Sequence, residues 1–204
     1  MPPVARYNYT VGNLAGRHIV VTGASSGIGA ALARQLGDEG CRVVLAARRR
    51  ERLEETASHV RTRGGEAAAI PCDVTSREAV FALAEAARER FGEVDAWVSN
   101  AGGGILHSAL EATEEDMLWQ YRLNCLSSLW AWQALIPGWL ERGRGHIVDV
   151  CTLGGKAGFA YGGGYAAAKG ALSCLGDAVR QELAGNLWPG LVPGVVARAR
   201  KRSD

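Results

Sequence analysis

A tyrosine and a lysine stand four residues apart in the run Tyr165-Ala166-Ala167-Ala168-Lys169. The three alanines favour a helix, and residues four apart share a helical face, so the phenol and the ammonium are expected side by side. A cation beside a phenol favours the phenolate and lowers a pKa that starts near ~10. Such a pair can exchange a proton at neutral pH. The lysine goes against the habit of the chain, which holds three Lys and twenty Arg. It supplies a compact point charge that the planar fork of Arg does not.

A second group of residues is built to meet phosphate. Thr22-Gly23-Ala24-Ser25-Ser26-Gly27-Ile28-Gly29 follows an apolar run, His18 to Thr22, and opens a helical period carried by Ile28, Ala31, Leu32 and Leu36. Glycines between a strand and a helix let the backbone turn sharply and approach a pyrophosphate. The helix N-terminus adds free N–H groups and the positive end of its dipole. The candidate contacts are Gly23, Ser25, Ser26, Gly27, Ile28 and Gly29.

The elements that must hold these groups alternate. Val43 to Ala46, Ala67 to Cys72, Val94 to Ser99 and His146 to Cys151 read as further strands, with Pro71 pointing to a sheet edge. Between them lie helical periods: Leu53, Ala57 and Val60, then Val80, Leu83, Ala87 and Phe91. Thr75 and Glu78 give a capping-box signature before the latter. Alternating strands and helices imply right-handed crossovers and a parallel sheet. A long helix is expected from about Thr113 to Glu141. It places Trp119, Leu123, Leu126 and Trp130 on one face and Tyr121, Cys125, Trp132 and Trp139 on the other, so it needs two partners: the sheet, and a neighbouring helix or a second subunit.

Bulk properties set limits. A length of 204 residues fits one domain over 1–204. Hydrophobic residues at 48% with 22% charged fit a globular core, and a net charge of +2 is too small for a nucleic-acid surface. Five separated cysteines without a CxxC pair, and four scattered histidines, argue against a metal site or a disulfide framework. No apolar stretch long enough for a membrane span or a signal peptide is visible, so a cytoplasmic protein is expected.

The motifs together resemble the short-chain dehydrogenase/reductase family. The turn matches its TGxxxGxG. Asp73-Val74 matches the acidic pair after the third strand, and Asn100-Ala101-Gly102 the NAG motif after the fourth. Asn124 sits at the place of an active-site asparagine, and Tyr165 and Lys169 match YxxxK. The match runs in family order over about residues 15–184. It implies an α/β chain with a three-layer α/β/α Rossmann fold, and hydride transfer between a nicotinamide and a carbonyl or secondary alcohol. By the same resemblance, Tyr165 is the general acid or base and Lys169 holds the nicotinamide ribose and lowers the Tyr165 pKa. Asn124 holds a water linked to Lys169. Asp73, Val74, Asn100, Ala101 and Gly102 join the cofactor contacts. Homodimers or homotetramers paired through long helices are also implied, with Trp132 and Trp139 either supplying such a face or packing within their own subunit.

Three departures carry expectations of their own. Relatives place a serine where this chain has Thr152; the hydroxyl is kept, with an added methyl that stiffens χ1. NAD-preferring relatives carry an acid where this chain has Ala47, followed by Arg48. That arginine suits a 2′-phosphate and points to NADP(H) rather than NAD(H). Finally, residues 185–204 form an atypical tail, in which Pro193-Gly194 is a candidate for the family's turn and 195–204 resemble nothing in the family. Pro189 and Pro193 interrupt a sixth strand, so the sheet is expected to lack its last strand or strands. The alternative reading is a shortened, weakly active member that binds a dinucleotide or acts through association.

Overall fold

Strand β1, His18–Thr22, is buried at every position, as a strand covered on both faces must be. It pairs in parallel with β2, Arg42–Ala47, on one side and with β4, Ala96–Ser99, on the other. Strand β3, Glu66–Pro71, pairs with β2, and β5, His146–Asp149, pairs with β4. The computed structural model describes residues 14–184 and 194–195. Gly194–Val195 forms a two-residue β6 parallel to β5, opposite Val148 and Asp149. The order is β3-β2-β1-β4-β5-β6. Pro71 does lie on an edge strand, where its missing N–H costs no ladder bond. Of the tail expected to depart from the family, 185–193 and 196–204 lie outside the described residues, and the position beside β5 is held by β6.

Alternation along each strand sends side chains to two cores. Ile19, Val21, Val43, Leu45 and Val98 pack against α1 (Gly27–Asp38) and α2 (Arg50–Thr62). Val20, Val44, Trp97 and Ile147 pack against α3 (Arg77–Phe91), α5 (Ser127–Arg142) and α6 (Gly163–Ala184). This is the three-layer α/β/α arrangement expected from the sequence. No helix among the described residues is long and apolar enough to cross a membrane.

Two local expectations need correction. The cap of α3 is Ser76, whose hydroxyl accepts from the Ala79 N–H at 3.1 Å; Thr75 instead bonds Asp73. The long helix is not one regular α-helix. It runs as α4, Glu114–Tyr121, a π turn over Arg122–Leu126, and α5. The Ser127 N–H reaches Arg122 O, five residues back. An extra residue in one turn rotates the rest of the helix by about 100°. Tyr121 is therefore 39% exposed, whereas Trp132 and Trp139 are 3% and 1% exposed. Both indoles lie in their own subunit's core, and Trp139 Nε1 donates to Val94 O at 2.7 Å. Of the two readings of this face, packing within the chain is the one that the burial supports.

Candidate active site

The glycine-rich turn joins β1 to α1 at the point where the strand order reverses, the crevice that favours ligands in open α/β sheets. Gly23 and Gly27 have φ of +67° and +57°, a region that strains other residues. Gly23 and Gly29 are also needed for space. A Cβ on Gly23 would lie 2.8 Å from Ala101 Cα, and one on Gly29 2.5 Å from Asn100 Nδ2 and 2.6 Å from Gly23 O. Asn100 closes this arrangement. Its Nδ2 donates to Thr22 O at 2.9 Å and to Gly23 O at 3.3 Å, while Thr22 Oγ1 accepts from the N–H groups of Asn100 and Ala101, both at 3.1 Å. Asn100 thus acts on this turn by fixing its shape.

The turn opens into a cavity of about 410 Å³. Its walls include Gly23, Ser25, Ser26 and Ile28 from the turn, Ala47, Arg48 and Arg49 from the end of β2, and Asp73, Val74 and Thr75 after β3. Asn100, Ala101, Gly102 and Gly103 close it after β4, with Trp119 and Leu123 above. The sequence therefore found most of the wall. Gly27 and Gly29 are absent from it; the first serves the backbone turn and the second its close packing on the helix. Asp73 accepts from the Thr75 N–H and hydroxyl, which fixes its orientation at the rim.

The sequence missed Arg49. It reaches back to the turn, donating to Ser25 Oγ at 3.1 Å and Ser26 Oγ at 3.2 Å. Ser26 stands at the N-cap of α1 without capping it, so its hydroxyl is available to the arginine. The run itself was the signal, since Arg48 and Arg49 both come directly after β2 at its C-terminal end.

Lys169, Tyr165 and Thr152 are not among the residues that line this cavity; Lys169 approaches it behind Gly102. Lys169 is 4% exposed and donates to Val150 O at 2.9 Å. Its Nζ lies 3.5 Å from where a Cβ on Gly102 would stand, so the ammonium borders the cavity wall. Burial lowers its pKa from the ordinary lysine value, and nearby Cys151 and Asp149 oppose that shift. Tyr165 is half-buried, edge-on to Phe159 with ring centroids 6.5 Å apart. Burial pushes its phenol above the ordinary value, with Cys151 adding to the effect. The expected lowering by Lys169 is thus reversed in the chain alone. Losing water disfavours the phenolate, and the Lys169 ammonium is directed at Val150.

Thr152 Oγ1 accepts from the Gly154 N–H at 3.2 Å and caps a short 3₁₀ turn, Leu153–Gly155. The hydroxyl proton stays free to donate. Asn124, 1% exposed in the π turn, uses its side chain on backbone groups. Oδ1 accepts from the Gly103 N–H at 3.1 Å, and Nδ2 donates to Gly103 O at 2.7 Å and Gln120 O at 2.9 Å. Taking the Gln120 carbonyl with a side chain competes with the regular backbone bond, in keeping with the π turn at this point.

Comparison with known proteins gives the same picture. The family model for short chain dehydrogenases matches residues 17–199. The chain is 36% identical over 172 residues to a ketoacyl reductase, HetN, of Nostoc sp., covering 84% of this chain and 60% of that protein. It is 41% identical over 144 residues to a fatty acyl-CoA reductase of Mycobacterium tuberculosis, covering 70% and 49%. The chain therefore spans between about half and three-fifths of these curated relatives. Among solved structures, a metagenomic short-chain oxidoreductase in complex with NADP aligns with a TM-score of 0.85 at 34% identity, over 92% of this chain and 84% of that one. A short chain dehydrogenase/reductase from Burkholderia phymatum in complex with NAD gives 0.84 at 29%, over 89% and 65%. Motifs, topology and relatives agree that the chain belongs to the short-chain dehydrogenase/reductase family.

Proposed function

We propose that this chain is an oxidoreductase that moves a hydride between NADP(H) and a carbonyl or secondary alcohol, with Tyr165 as the proton donor in reduction and acceptor in oxidation. The observation that carries the reading is the cradle at Gly23 and Gly29, where an added Cβ would strike Ala101, Asn100 and the Gly23 carbonyl. It opens on a cavity that Lys169 approaches behind Gly102. A dinucleotide fits these residues. Its phosphates suit the turn and the N-terminus of α1, and its nicotinamide end suits Gly102, Lys169 and Tyr165. When bound, such a cofactor supplies or accepts the hydride.

The protein supplies position and protons. A raised phenol pKa keeps Tyr165 protonated at neutral pH, the state a donor needs when charge builds on a carbonyl oxygen. Thr152 offers a second hydroxyl to the same oxygen, and Lys169 offers a buried cation close by. Thr152→Ala is therefore expected to lower kcat by about 10²-fold, while Thr152→Ser keeps most of the activity. Steady-state rates for the two variants check this; an unchanged Ala variant removes Thr152 from the reaction.

Arg48 and Arg49 support a preference for NADP(H), because two guanidinium groups beside Ala47 favour an added phosphate and a carboxylate there would repel it. Replacing both with Ala is expected to weaken NADPH binding at least tenfold and leave NADH binding within about twofold. Titration with each cofactor tests this, and equal losses for the two would contradict it. The reaction itself is tested by following NADPH consumption over a panel of carbonyls. Acyl carbonyl compounds come first, given the ketoacyl and fatty acyl-CoA reductases among the relatives. Binding of NADPH without turnover of any carbonyl contradicts the proposal.

A further inference from the structure

Gln120 lies in the last turn of α4 with no exposed surface. A buried primary amide is costly unless its groups are used. Its Oε1 accepts from the Ile105 N–H at 3.1 Å. Four residues on, Asn124 holds Gly103 by both its N–H and its carbonyl, and also donates to the Gln120 carbonyl. Two amides of one helical stretch therefore pin residues 103 and 105 of the segment just beyond the cavity wall. Gly104, between them, lies against Tyr165: a Cβ there would stand 3.0 Å from Tyr165 Cβ and 3.2 Å from ring carbon Cδ2.

The other tip of the Gln120 amide faces the second half of the site. Nε2 has no hydrogen-bond partner, and a Cβ on Gly164 would lie 2.3 Å from it and 3.0 Å from Met117 Sδ. Gly164 directly precedes Tyr165. The end of a long side chain ordinarily swings away from such an intrusion. Here the amide is enclosed, and turning it surrenders the bond to Ile105. An acceptor stands at this position although it leaves a buried donor unpaired, which is costly. A leucine of similar size would avoid that cost and lose the hold on Ile105.

We propose that Gln120 is a positioning residue for Tyr165: it holds the 103–105 segment on one side and, through contact with Gly164, sets the start of the tyrosine helix on the other. This rests on the reading of Tyr165 as the proton donor. It assigns Gly164 a requirement for glycine that has nothing to do with backbone dihedrals, since Gly164 has no positive φ.

Two arms test it. In the first, Gly164→Ala is expected to lower kcat roughly tenfold to a hundredfold, with KM and NADPH affinity within about twofold, because a small misplacement acts on the reacting geometry. Adding Gln120→Ala removes the atom that the methyl strikes. The double variant is then expected to have a kcat no lower than Gln120→Ala alone, a non-additive pair. Losses that multiply, or an unchanged kcat in Gly164→Ala, overturn the proposal. The second arm needs neither activity nor cofactor and stands if Gly164→Ala fails to fold. In Gln120→Leu, amide exchange at Ile105 is expected to quicken at least about fivefold while Gly103, held by Asn124, is unchanged. Unaltered exchange at Ile105 overturns the hold on the segment. A wild-type protein that turns over no carbonyl, yet shows this exchange pattern, would count against the oxidoreductase reading and leave the contact itself established.

Discussion

Replacing Tyr165 with phenylalanine is expected to lower kcat by about 10²- to 10⁴-fold and leave NADPH affinity within about twofold. The change removes one oxygen. The ring contact with Phe159 and the packing of Gly104 against the Tyr165 side chain both remain, so the helix and the cavity should keep their shape. The pH behaviour carries its own sign. Burial raises the phenol pKa, so the protonated form persists through neutral pH and into the alkaline range. Carbonyl reduction, which uses that form, is expected to be flat through neutral pH and to fall only in alkali. Alcohol oxidation, which uses the phenolate, is expected to climb with pH. Rates in both directions for wild type and variant check this. A phenylalanine variant with ordinary turnover would remove the proton donor from the mechanism.

The second large effect is expected at the glycine turn. Gly29 sits in regular helix, so an alanine there would normally be favourable. Its Cβ would instead meet Gly23 O at 2.6 Å and Asn100 Nδ2 at 2.5 Å. The first of these is backbone and cannot swing aside; the second is held by Thr22 O. The turn must open or the helix must retreat. Gly29→Ala is expected to lose about 1–3 kcal/mol of stability from overpacking and at least 10² in NADPH affinity. Thermal melting reads both. Saturating NADPH at ~100 Kd should stabilise the wild type by about 2.7 kcal/mol and the variant hardly at all. An alanine variant that keeps the full NADPH shift would show that the close contact between turn and helix does not shape the phosphate site.

Much of this was legible in the sequence, for reasons that can be named. The strands are apolar runs because both faces of a parallel sheet are covered, and Pro71 marked the edge because proline lacks a ladder donor. The glycine turn is a local pattern whose meaning depends on neighbours in the chain. What stayed hidden depends on neighbours in space. The π turn adds no unusual residue, so the helical wheel grouped Tyr121 with Cys125, Trp132 and Trp139, whereas Tyr121 is exposed and the other three are buried together. Arg49 looks like its neighbours until its reach to Ser25 and Ser26 is seen. The sign of the Tyr165 shift is decided by burial, which spacing along a helix does not report. Gln120 carries no motif; only the approach of Ile105 and Gly164 gives it meaning.

The most direct measurement traces the hydride itself. The chain is incubated with NADPH deuterated at both C4 positions and a carbonyl that it consumes, and the alcohol is analysed by mass spectrometry. A deuterium on the carbinol carbon is expected in the wild-type product, with almost no product from Tyr165→Phe under the same conditions. Alcohol formed without deuterium, or equal yields from the two proteins, would contradict hydride transfer with Tyr165 as the proton donor.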